Sequence, residues 1–336
     1  MPSIQFLQDF ALIRTLADPR RLDILRRLMA NPATLAHLGR AIGQHPAWVR
    51  HHLKQLEAAG LVELVRVQVS GGFVEKYYQA TAQAFSVQQV ILPRAAESGA
   101  LVLMGSHDLA LELLSQELLG AGAGLQLLAL PVGSLEGLVA LRQGFSHLTG
   151  CHLLDFESGE YNRSYVRHLL PDRAVSLVTL AHRQQGLLVY PGNPLGLHSL
   201  QDLGRDDVRL INRNRGSGTR LWLDEQLRRL GILPAQVRGY DREAPTHTGL
   251  AQAILAGQAD VGLGLQAAAS QAGLGFIPLF QERYDLVLPQ EQVGENSFQV
   301  LGELLSGKDF HRRVEALPGY AASHTGELVP LHGKMP

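Results

Sequence analysis

Residues 208–231 read VRLINRNRGSGTRLWLDEQLRRLG, and the fold of most of the chain turns on them. Val208, Leu210 and Ile211 predict a short buried strand. Residues 212–216 break it, and Leu221, Leu223, Leu227 and Leu230 predict an amphipathic helix that stops at Gly231. The junction is Gly216-Ser217-Gly218-Thr219-Arg220. Two glycines let the backbone turn tightly and approach a ligand. The hydroxyls of Ser217 and Thr219 stand beside unpaired N–H groups and the positive end of a helix dipole, the parts of an oxyanion cradle. P-loop spacing and its Lys are missing. An ordinary capped strand-to-helix turn uses the same features.

The pattern occurs twice more, at Gly105-Ser106 and Gly133-Ser134. Strands are expected at 100–104, 125–131, 147–154, 175–183, 186–190, 275–279 and 284–288. Helices are expected at 109–119, 135–142, 165–170, 249–256, 298–305 and 310–317. This alternation predicts an α/β architecture with parallel sheets. Strand-to-helix turns lie at the carboxyl ends of strands, where open α/β sheets place ligands. Three such turns, converging, surround a small anion with hydroxyls and backbone N–H groups.

Further pieces are His152-Leu153-Leu154-Asp155 with Gly159-Glu160-Tyr161-Asn162, Thr246-His247, and Asp260-Val261-Gly262-Leu263-Gly264. With Asn212-Arg213 and the Arg215–Arg220 run, residues 98–320 resemble the type II periplasmic-binding-protein fold. They resemble most the cytoplasmic branch attached to regulators and to molybdenum-cofactor biosynthesis proteins. The resemblance implies two lobes around a cleft, crossed near 179–185 and 278–284, and relatives that bind molybdate or tungstate.

The first 95 residues carry 11 Lys+Arg and 6 Asp+Glu, a net of +5; the remainder carries 19 and 25, a net of −6. A basic N-terminal piece on an acidic body suggests a nucleic-acid-binding module. Phe6, Phe10, Leu12 and Ile13 predict a first helix. Asp18-Pro19 opens a second, with Leu22, Leu25 and Leu28 or Met29 inward, and residues 34–42 form a short third. His45-Pro46 opens a fourth helix with Val49, Leu53 and Leu56 inward, and Gly60 stops it. Strands at 61–69 and 73–78 flank a Ser70-Gly71-Gly72 turn. Helices followed by a hairpin predict a winged helix whose fourth helix enters the major groove. His45, Trp48, Arg50, His51 and Lys54 are its candidate DNA contacts, with Arg66 and Lys76 of the wing at phosphates. Residues 16–25 and 49–62 resemble the ArsR-type winged helix. The cysteine pair of its metal-sensing members is absent, and His45 to Trp48 replace the usual polar start of the reading helix, so the bases read do not carry over.

The expected fold class is thus multidomain. An N-terminal winged helix (α+β, residues 1–82) and a linker or dimerisation helix (83–97) precede a two-lobe α/β domain (98–336). Candidate ligand-binding residues are Ser106, His107, Ser134, Gly216, Ser217, Gly218, Thr219, Arg220 and His247, with Tyr161 and Asn162 from the resemblance. Ser106, Ser134, Ser217 and Thr219 read equally as helix caps, and His107 and His247 as buried structural residues. Arg220 pairs with the anion or with an acidic residue of its own lobe. Arg183 is read at the hinge and Asp260 at a turn.

One cysteine, Cys151, excludes an internal disulfide and a Cys-rich zinc module. The start lacks a basic and then apolar leader, and no apolar run reaches spanning length, so a cytoplasmic protein with no membrane partner is expected. Ser106-His107-Asp108 holds the residue types of a hydrolase triad, but adjacent residues cannot form that relay, and no GxSxG elbow occurs. No enzyme activity, metal site or covalent cofactor is expected. The reading is a ligand-responsive regulator, a homodimer on operator DNA, with molybdate or tungstate as small anionic effector. A cytoplasmic carrier of a metal oxyanion or pterin, whose winged helix contacts protein, is the other class.

Overall fold

The computed structural model describes residues 4–7, 9–70, 73–87, 99–120 and 125–331. The chain divides into two compact units, Met1–Val90 and Ile91–Pro336.

In the first unit, β1 (Ile4–Leu7) precedes α1 (Phe10–Leu16), so Phe6 lies on a strand, not on the predicted first helix. The Asp18 carboxylate caps α2 (Pro19–Ala30), and Pro19 sits at its first position, where no N–H is needed. Thr34 caps α3 (Leu35–Ile42), and Gly43, at φ 66°, reverses the chain into α4 (Pro46–Ala58). Ile24, Leu25, Leu28, Leu38, Val49, Leu53 and Leu56 close one core. The wing is β2 (Val62–Ser70) and β3 (Phe73–Ala80), antiparallel; the Gly71-Gly72 turn lies outside the described residues. β4 (Ala84–Val87) pairs in parallel with β1. The described part of the predicted linker helix is therefore a strand of this unit, and residues 88–97 lie outside the described residues.

The second unit opens with β5 (Ala100–Gly105), α5 (Leu109–Gly120), β6 (Gln126–Pro131), α6 (Ser134–Arg142), β7 (Thr149–Cys151) and α7 (Arg163–Leu169). β5 and β6 run parallel. β8 (Val175–Val189) is a single strand of 15 residues where two were expected. It leads to β9 (Leu210–Arg213), α8 (Gly218–Arg229), β10 (Glu243–Ala244), α9 (His247–Leu255), β11 (Val261–Leu265) and α10 (Gln266–Gln271). Asn212 and Arg213, expected to break the strand, end it. β12 (Gly275–Pro289) is again one strand, followed by α11 (Asn296–Leu305), α12 (Lys308–Glu315), β13 (Tyr320–Ala321) and β14 (Leu328–Leu331).

The large sheet has the order β10-β9-β11-β8-β12-β7. It is mixed, not parallel as expected: β8 and β12 pair antiparallel along their length, with irregularities at Pro278/Phe280 and Tyr284/Asp285. Both predicted crossings fall inside these two strands. One apolar cluster around Leu138, Leu153, Val166 and Val287 and another around Leu187, Leu203, Leu210 and Leu223 lie toward their two ends, while a third, with Leu103, Tyr284, Leu188 and Leu250, runs along them, so the strands form a two-stranded connection between two lobes. A parallel sheet follows from helical crossovers; strands that leave one lobe and return to it need no such crossover.

Candidate functional site

The polar interruptions His182-Arg183-Gln184-Gln185 and Gln281-Glu282-Arg283 lie in mid-strand, opposite each other, with Arg183 facing Glu282 in the register. Burial of both side chains requires pairing. Arg183 donates from Nε to Glu282 Oε1 at 2.7 Å and from Nη1 to Asp108 Oδ2, and its guanidinium lies 4.6 Å from the Tyr284 ring. Asp108 also caps α5 through the N–H groups of Ala110 and Leu111 and accepts from the Tyr320 hydroxyl at 2.7 Å. Gln185 Nε2 donates to Glu282 Oε1 at 2.6 Å and to Thr219 Oγ1 at 2.8 Å. His152 Nδ1 meets Glu282 Oε2 at 2.9 Å.

Arg213 is buried beside this knot, 1% exposed. Among the described residues its side-chain hydrogen bonds run only to neutral oxygens: Ala244 O at 3.1 Å, Pro245 O at 2.9 Å and Asn214 Oδ1 at 3.5 Å. Its Nη1, Arg183 Nη2, His152 Nε2, Gln185 Oε1 and both ring nitrogens of His247 have no hydrogen-bond partner among the described residues. Burial, then repulsion by Arg183, brings Arg213 down to about 9, still a cation at neutral pH. Burial opposes the ionisation of Glu282, yet Arg183 and His152 hold it at about 2. His247 is pushed well below its usual value by burial and then by Arg213 and Arg183, and burial, opposed by Glu282, also lowers His152, so the charged form of both imidazoles is disfavoured.

The lobes meet across this cluster. Leu135 N donates to Gly216 O at 3.1 Å, and Asn214 Nδ2 to Val132 O at 3.0 Å. A Cβ on Gly218 would stand 2.1 Å from His152 O, and one on Gly216, at φ 80°, would overlap the Glu136 carboxylate. The glycines of the quoted stretch thus serve the turn and the close approach their positions suggested.

The predicted ligand residues divide. Ser134 Oγ donates to Ser106 Oγ at 3.2 Å and accepts from His152 N at 3.3 Å, so these two turns do meet. Thr219 joins them through Gln185, and His247 lies at the start of α9. The His107 ring is engaged at both nitrogens, by Glu112 Oε1 at 2.6 Å and by His247 N at 3.4 Å. Beside the cluster is a cleft of about 480 Å³ lined by Ser106, His107, Asp108, Thr246 and apolar side chains such as Leu111 and Leu127. Ser217 serves as a cap, accepting from Arg220 N and donating to Asn214 O. Arg220 is held by Asp224 at 2.9 Å, stacks on Tyr240 and faces Glu243, its acidic neighbours rather than an anion. Asn162 is a structural residue: at φ 68° it bonds Leu153 N and Asp285. Tyr161 lines a smaller cleft of about 290 Å³ with His182 and Arg283. Asp260 pairs with Arg209. None of Arg183, Arg213, Gln185, His152 and Glu282 is among the expected ligand residues: Arg183 is read at the hinge, and Arg213 and His152 only as pieces of the resemblance. Their signal was the polar break in otherwise apolar runs.

In the first unit, Arg50, His51 and Lys54 are exposed along α4, and Lys76 is exposed on β3. Arg66 packs 3.9 Å from the Tyr77 ring. His45 Nδ1 accepts from Ala47 N, so this residue caps α4. Trp48, expected on the open face, is partly buried, 4.3 Å from the ring of buried His52. Among the described residues no three His, Cys, Asp or Glu side chains are placed to hold a metal ion, and no helix is long and apolar enough to cross a membrane.

Two lobes joined by a pair of long strands, closed over a buried polar cluster, define a binding-protein-like domain. Residues 115–306, more than half of the chain, match the PBP superfamily domain, and the chain belongs to that family. Residues 16–65 match a helix-turn-helix domain. The chain is 36% identical over 228 residues to the uncharacterized protein YvgK of Bacillus subtilis (strain 168), covering 68% of this chain and 73% of that one. It is 38% identical over 108 residues to the uncharacterized protein in the ferredoxin 2Fe-2S gene 5′ region of Clostridium pasteurianum, 32% of this chain and 96% of that one. A putative phosphate ABC transporter substrate-binding protein with bound phosphate from Clostridium perfringens superposes with a TM-score of 0.49 at 11% identity, over 69% of this chain and 100% of that one.

Proposed function

We propose that this chain is a ligand-responsive transcriptional regulator. Its helix-turn-helix unit binds operator DNA as a homodimer, and its cleft binds a small oxyanion as effector. The protein acts in the cytoplasm and has no catalytic activity. Molybdate and tungstate are the effectors that the sequence resemblance implies.

The observation that carries the reading is Arg213. A buried guanidinium with no directly bonded carboxylate is costly, and an anion supplies a charged partner at hydrogen-bond distance. Arg183 Nη2 and the protonated ring nitrogen of His247 also lack acceptors, and a multidentate oxyanion engages such donors together. Thermal-shift series with molybdate, tungstate, sulfate and phosphate test it. A ligand bound only by the native state raises Tm, by an amount equivalent to about 2.7 kcal/mol at a hundredfold excess over Kd. The rise is expected in the native sequence and absent in Arg213→Met. No shift with any oxyanion would sink the effector assignment.

A carrier whose winged helix contacts protein draws support from the wing, where Val65, Val67, Val69 and Val74 are exposed. Salt-dependent binding to duplex DNA separates the two readings.

A further inference from the structure

We infer that the effector oxyanion carries a hydrogen-bond donor of its own, and that Gln185 and His152 select for it. The inference rests on the cleft reading above and narrows its ligand class to anions that keep an acidic O–H or bear a hydroxyl; it sets aside bare tetrahedral oxyanions, including the molybdate and tungstate that the resemblance implies.

The hydrogen-bond inventory carries the argument. An ionised carboxylate only accepts. Glu282 accepts from Arg183 and Gln185 at Oε1 and contacts His152 at Oε2. Gln185 must therefore turn its NH₂ to Glu282, which fixes Oε1 on its other side as an acceptor. Burial and the neighbouring guanidiniums of Arg183 and Arg213 disfavour a second proton on His152, and its one proton then lies on Nδ1 toward Glu282, which leaves a lone pair on Nε2. Both atoms are buried and neither has a donor among the described residues. Both contact the start of α8: Gln185 is tied to Thr219, and His152 lies against Gly218. Opposite in character are Arg213 Nη1 and Arg183 Nη2, which have protons and no acceptor. The cluster thus offers unmet donors and unmet acceptors together. Charge agrees with this, since Arg183 and Arg213 balance Asp108 and Glu282. A bare dianion sets oxygen lone pairs against Gln185 Oε1 and His152 Nε2, and each unmet acceptor weakens binding.

Isothermal titration of the full chain at constant neutral pH, with matched pairs, tests this. Phosphate against sulfate gives tetrahedral anions with and without an O–H. Lactate against propionate does the same for carboxylates and distinguishes an inorganic from an organic effector. Molybdate and tungstate join the bare set. The donor-bearing member of at least one pair is expected to bind at least about 10-fold more tightly. In Gln185→Leu that ratio is expected to fall towards one, chiefly through loss of affinity for the donor-bearing anion. Equal or tighter binding of the bare anions by the native sequence overturns the inference but leaves the oxyanion reading standing. Absence of binding by every anion overturns both. The native-sequence comparison decides even where Gln185→Leu fails to fold.

Discussion

At the scale of the residue, the site is set by charges that strands do not ordinarily bury. Arg183 and Glu282 are affordable because each neutralises the other across two paired strands. Arg213 lacks such a partner, and His247 beside it has both nitrogens unmet. In the ligand-free protein this makes His247 a liability in acid. Its pKa is lowered on folding, so between its folded value and about 6.5 the unfolded chain binds more protons than the native one. Stability is present above about pH 6.5 and is lost as pH falls below it, by up to about 1.4 kcal/mol per pH unit for this group. Urea unfolding between pH 7.5 and 5.5 is expected to show that slope, and His247→Leu to flatten it by the same amount. An unchanged slope in the variant would mean that His247 is already protonated in the fold. None of this was legible in the sequence. A lone Arg after an apolar run reads as the end of a strand, and Arg213 was taken as part of a breaker; only the register shows which polar residues turn inward.

Elements were far easier to read than their pairing. The caps of α2, α3 and α4 are written locally, as Asp18-Pro19, Thr34 and His45-Pro46, and the glycine at 43 closes the helix-turn-helix. What failed was continuity. The runs 175–189 and 275–289 each hold a polar middle, so each split into two expected strands, yet each middle faces the other and the ladder continues through it. The parallel pairing of β1 with β4 joins residues 80 positions apart, which no local pattern reveals. For α4 the exposed cations give a direct expectation. If Arg50 and Lys54 each neutralise one phosphate, Arg50→Ala with Lys54→Ala lowers the slope of log K against log salt by about 1.8 and weakens binding to all sequences alike. Both residues are exposed, so stability stays within about 1 kcal/mol of the native value. Gel-shift titrations at several salt concentrations read this out. An unchanged slope would remove α4 from the DNA interface.

For the molecule as a whole, regulation requires that ligand distinguish two states of the cleft, since an effector with equal affinity for both shifts nothing. In the described state the lobes touch, and Gly218 leaves no room for a side chain against the His152 backbone. This contact is backbone to backbone, so no rotamer change relieves it. A Cβ at 218 cannot be placed 2.1 Å from His152 O without the lobes moving apart, whereas α8 itself tolerates alanine well. Gly218→Ala is therefore expected to fold, because Leu223 and Leu227 keep α8 on its own lobe, but to hold the cleft open. An open cleft separates Asn214 from Val132 O and the start of α8 from His152, and so dismantles the cluster that an anion needs. Three readouts follow together: the ligand-induced Tm rise falls at least about 10-fold in apparent affinity, small-angle scattering reports a larger radius for the second unit, and operator binding persists but no longer responds to ligand. If Gly218→Ala still closes and responds like the native chain, closure is not the event that the effector controls, and the signal must arise from the site without movement of the lobes.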